Sequence, residues 1–133
     1  MSSINKFVLI IFLFAGVFSI FIPAIGQSND DIILSLKSGN AKTLSGYFNQ
    51  NVELVVPDND NVYSKAQAQQ IVSNFFNVHT PVNFAIIHSG GKEGAKHVIG
   101  KLTTKEGEFR VYYLLKQTDG KDFIHLLKIE KQE

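Results

Sequence analysis

The chain has 133 residues, with 13 Lys plus Arg against 12 Asp plus Glu, and no cysteine. That length suits one domain rather than two. The absence of thiols excludes disulfides, thiolate metal centres, a cysteine nucleophile and the lipid-bearing cysteine of a bacterial lipoprotein.

The first segment reads as an export signal. Lys6 precedes an uncharged apolar run of 16 residues, Phe7 to Ile22, which Pro23 breaks. Ala24-Ile25-Gly26 then places small residues at the positions a signal peptidase needs before Gln27. The run falls short of the ~20 residues that span a bilayer. The expectation is a signal peptide over residues 1–26 and one exported domain over 27–133, periplasmic or secreted, that meets a membrane only through the signal segment before cleavage. Without that segment the charges balance at 12 and 12, with the lysines dispersed. A neutral domain of this kind has no electrostatic footprint for nucleic acid or an anionic membrane surface.

"SNDDIILSLKSGN" predicts a first helix, with Ser28 and Asn29 as cap-type residues, Ile32, Ile33 and Leu36 on one face and Gly39 as the stop. "NAKTLSGYFNQN" predicts a second, capped by Asn40, with Leu44, Tyr47 and Phe48 at helical spacing. "VELVVP" alternates Val52, Leu54 and Val56 inward, and Pro57 ends the strand. In "SKAQAQQIVSNFF", Ser64 and Gln67 form a capping box, and Ala68, Ile71, Val72, Phe75 and Phe76 make an apolar stripe. From Val82 the period changes to two, and glycine-bearing turns separate four strands. Three helices followed by a run of antiparallel strands predict an α+β domain with its helices on one face of a curved sheet. The expected order is helix, helix, strand, helix, then four strands.

Two turns compete in "FRVYYLLKQTDGKDFIHLLKIE". A type I′ turn at Asp119-Gly120 sets Leu115 against Ile124 and His125 against Leu114. A type I turn with a G1 bulge at Gly120 sets His125 against Tyr113. The second separates a nearly pure core face from a mixed one and is the expected register. Its inward residues are Phe109, Val111, Tyr113 and Leu115 with Phe123, His125, Leu127 and Ile129. Its outward residues include Tyr112, Leu114, Ile124 and Leu126.

The stretches "SGNAKTLSGYFNQNVELVV", "YSKAQAQQIVSNFF" and "GKLTTKEGEFRVYYLLKQTDGKDFIHLLKIEK" closely resemble a small secreted family, known mainly from Bacteroidetes, catalogued as domain of unknown function 4783. The resemblance covers the whole mature chain. It implies a nuclear-transport-factor-2-like, or cystatin-like, cone of three helices wrapped by a curved antiparallel sheet. It implies no activity.

Cones of this type often enclose a pocket, and ketosteroid-isomerase-like members run acid–base chemistry in it. That chemistry needs a carboxylate base and a buried acid. The inward positions of the last two strands hold neither Asp nor Glu, which leaves Tyr113 and His125, with Phe76 beside them, as the pocket residues. A neutral His–Tyr pair that simply fills the core is the plainer reading, because buried Tyr and His find such partners. No metal or cofactor is expected. His88 and His97 flank "SGGKEGA" without a recognised ligand spacing, and "PDNDNVY" fails the calcium-loop pattern at its fifth and sixth positions. No P-loop, Rossmann fingerprint, G-x-S-x-G or H-E-x-x-H occurs.

The reading is a non-enzymatic exported domain that binds a small apolar ligand or a partner in a cone-shaped pocket, or assembles with itself. The alternative is an acid–base pocket enzyme using Tyr113 and His125. Tyr112, Leu114, Ile124 and Leu126, rimmed by Arg110, Lys116, Lys128 and Glu130, form the expected interface of a homodimer. The resemblance implies the same sheet-mediated dimer.

Overall fold

The computed structural model describes residues 27–132, so the expected signal segment lies outside the described residues. Three helices, α1 (Gln27–Ser38), α2 (Ala41–Ser45) and α3 (Lys65–Val78), pack on one six-stranded sheet. The strands are β1 (Phe48–Val56), β2 (Asn59–Ser64), β3 (Pro81–Lys92), β4 (Ala95–Thr104), β5 (Gly107–Thr118) and β6 (Lys121–Lys131). Their order across the sheet is β2-β1-β6-β5-β4-β3, antiparallel except where β1 runs parallel to β6. None of the described helices is long and apolar enough to cross a membrane.

Local chemistry explains most of these boundaries. Asn40 caps α2 by accepting from the Thr43 amide, and Ser64 and Gln67 close a reciprocal capping box on α3. The apolar stripe of α3 buries Ala68, Val72, Phe75 and Phe76 against the sheet. The concave sheet face supplies the rest of the core, including Leu54, Leu102, Phe109, Val111, Tyr113, Leu127 and Ile129.

Three expectations are corrected. α2 stops at Ser45, and the Gly46 amide bonds back to the Lys42 and Thr43 carbonyls. Phe48 therefore begins β1, paired with Ile124, and does not extend the helix. The helix–strand order gains one element: "NDNVYS" is β2, antiparallel to β1 across a turn at Pro57-Asp58. Its polar residues carry no alternation to betray it, because an edge strand needs only a partner for its backbone.

The third correction is the register at His125. Asp119 and Gly120 both adopt positive φ, 53° and 78°, the conformation of a type I′ turn, and Thr118 pairs with Lys121. The bulge lies further along. Leu115 pairs with Ile124 and Leu114 with Leu126, so His125 is the extra residue and faces no partner. One extra residue resets the alternation: Ile124 and Leu127 are both fully buried, while His125 and Leu126 turn outward together. His125 therefore does not face Tyr113, and Ile124 belongs to the core and not to the outer patch. Tyr112, Leu114 and Leu126 remain on the outer face, each half-buried.

Candidate functional site

One end of the cone is left open. The first turn of α1, the Gly46-Tyr47 turn, the β3–β4 hairpin and the β5–β6 hairpin enclose a cleft of about 1280 Å³. Four separate pieces of chain meet there.

The cleft is built in layers. Val98 of β4 and Leu115 of β5, both buried core residues, form an apolar floor. Above it Tyr47 donates a hydrogen bond to Asp31 Oδ2 over 2.5 Å. That bond to the carboxylate, helped by burial and by the Asp31 charge, pushes the Tyr47 pKa up to about 12. The phenol thus stays protonated at neutral pH and acts as a donor, not as a base. Lys96 and Lys121 stand with Glu93 and Asp122 around the rim, so both signs of charge are offered to an entering molecule.

None of the three residues expected to line a pocket reaches this cleft. Phe76 is packed under α3 beside Phe75, with ring centroids 5.9 Å apart. Tyr113 lies beneath the floor with no exposed surface, and its hydroxyl donates to Asn29 Oδ1 over 2.6 Å. Burial pushes its pKa well above the ordinary phenol value. His125 sits in the β6 bulge on the opposite face, near Lys116. Burial and the Lys116 charge hold its pKa below the usual imidazole value, and its Nε2 is buried with no hydrogen-bond partner among the described residues. The acid and the base of the enzyme reading are thus on opposite sides of the sheet.

Sequence reasoning missed Asp31, Tyr47, Lys96 and Lys121. Asp31 reads as a first-turn acid and Tyr47 as part of a helix face, and only the tertiary contact makes them a pair. Asn29 likewise reads as a cap, whereas its side chain is the acceptor for Tyr113.

Residues 29–130 match the model of a protein family described as "Domain of unknown function (DUF4783)". A solved family member from Bacteroides uniformis shares 29% identity, with 78% of this chain and 96% of that chain covered and a TM-score of 0.75. A second, from Bacteroides ovatus, shares 30% identity over 84% of this chain and 96% of that one, with a TM-score of 0.74. An NTF-2 like protein of unknown function from Burkholderia xenovorans superimposes with a TM-score of 0.61 at 7% identity, covering 80% of this chain and 83% of that one, a likeness of fold alone. None of the curated proteins matches the sequence. The chain belongs to the DUF4783 family and has the NTF2-like fold.

Proposed function

We propose that this DUF4783 member is an exported, non-catalytic binding module whose open cleft takes a small molecule with an apolar body and polar ends. The apolar floor of Val98 and Leu115 beneath the Tyr47 hydroxyl and the Lys96 and Lys121 ammonium groups carries this reading. Binding sites for small molecules combine an apolar lining with a few placed polar groups in this way. The acid–base alternative loses its pair, because Tyr113 is committed to Asn29 and His125 faces away. Export is supported by the sequence of residues 1–26.

The test fills the cleft without disturbing the core. Ser89 is exposed and pairs with Val98, which puts it at the cleft wall. Native mass spectrometry of protein purified from its exported fraction should show a bound small molecule, and Ser89→Trp should lose it while keeping the same unfolding midpoint. A wild-type protein of bare polypeptide mass, or an adduct that Ser89→Trp retains, contradicts the proposal.

A second reading is self-association through the outer sheet face. Tyr112, Leu114 and Leu126 are joined there by Ile99, which pairs with Tyr112. An aromatic and aliphatic centre with Arg110, Lys116, Lys128 and Glu130 around it has the anatomy of an interface. A two-fold homodimer is the simplest assembly it supports.

A further inference from the structure

His88 and His97 lie on different strands of the β3–β4 hairpin, and a bulge brings them to one face. Ile86 pairs with Gly100, but His88 pairs with Ile99, so Ile87 is extra. Without that residue His88 would follow Phe84 and Ile86 to the concave side. With it, His88 turns to the outer face, where His97 already points, and the two imidazole centroids stand 5.7 Å apart.

Both rings lean over Gly90, the residue paired with His97. A Cβ built on Gly90 would stand 3.1 Å from His97 Nε2, 3.4 Å from His88 Nε2 and 2.9 Å from His97 Cε1. Gly90 is not among the glycines with positive φ, so its backbone does not require glycine. The space above it is what a side chain would destroy, and two ring nitrogens converge on that space. Tyr112 stacks beside His97, with ring centroids 6.1 Å and ring planes 19° apart.

We propose that His88 and His97 form a two-histidine site for a late first-row divalent cation, Zn²⁺, Ni²⁺ or Cu²⁺, bound through Nε2 of each ring. Imidazole binds Zn²⁺ at about 2.0–2.1 Å, which puts two ligands of a tetrahedral ion about 3.4 Å apart. Both Nε2 atoms lie within 3.4 Å of one point above Gly90, and side-chain rotations on the fixed hairpin would bring them to that spacing. Among the described residues no third His, Asp or Glu joins them, so water fills the remaining positions. An all-imidazole donor set suits these ions and is poorly matched to Mg²⁺ or Ca²⁺, which require oxygen. The competing account is a cross-strand ring stack with no ligand, and it predicts no metal binding.

Calorimetric titration of the untagged exported protein with ZnCl₂, NiCl₂ and MgCl₂ separates the two. One Zn²⁺ or Ni²⁺ per chain should bind, and Mg²⁺ should give no signal. His88 is exposed, so His88→Ala leaves the core intact and should weaken binding by more than about tenfold. Gly90→Ala should also weaken it by pushing the His97 ring aside. Substoichiometric Cu²⁺ should broaden the backbone NMR signals of residues 88–99 before any others. No Zn²⁺ or Ni²⁺ binding, unchanged affinity in folded His88→Ala, or broadening centred elsewhere overturns the proposal.

Discussion

The Tyr113 hydroxyl donates to Asn29 Oδ1 over 2.6 Å and ties the first turn of α1 to the centre of the sheet. The two residues are 84 positions apart, and the phenol has no exposed surface. This bond closes the cone beneath the cleft. Tyr113→Phe should therefore destabilise the domain by about 1–2 kcal/mol in urea unfolding, and Asn29→Ala by a similar amount. The double variant should cost less than the two singles together, by about 1 kcal/mol, because the shared bond can be lost only once. Fully additive losses would show that the bond contributes nothing of its own.

His125 introduces a pH dependence. Its pKa is held below 6.5 by burial and by Lys116, so the unfolded chain takes up this proton more readily than the folded one. This contribution to stability is present in full above the unfolded value. It is lost as pH falls through the depressed folded value. His125→Gln removes the titrating group, and its urea midpoint should fall less than that of the wild type between about pH 7.5 and about pH 5. Parallel declines would refute the assignment.

Phe84 covers Gly100. A Cβ on that glycine would overlap the distal carbons of the phenyl ring, which comes from the neighbouring strand. Gly100→Ala should cost about 1–3 kcal/mol through overpacking. Adding Phe84→Leu, which shortens the obstructing side chain, should recover part of that loss. A Gly100→Ala protein as stable as the wild type would mean that the ring moves freely.

The outer sheet face makes the fourth test. Size-exclusion chromatography with light scattering should show a dimer at micromolar concentration. Leu114→Glu and Leu126→Glu should each convert it to a folded monomer, since a carboxylate at the centre of the patch could not be buried unpaired. A wild-type protein that stays monomeric when concentrated removes the dimer.

Much of the fold follows from features local in sequence. Ser64 and Gln67 are three residues apart, and the stripe from Ala68 to Phe76 repeats within a single helix, so both could be read without knowing what they pack against. The strands from Val82 onward were legible for the same reason, through alternation and glycine turns. Other features depend on residues that only the folded chain brings together. β2 is a strand because β1 offers its backbone a partner, and its polar sequence carries no sign of that. The bulges at Ile87 and His125 shift side chains from one face to the other, and in β6 the burial of both Ile124 and Leu127, three residues apart, cannot be met by strict alternation. Asp31 meets Tyr47, and His88 meets His97, through helix placement and strand register, and a one-residue change in register reverses the face of every side chain beyond it.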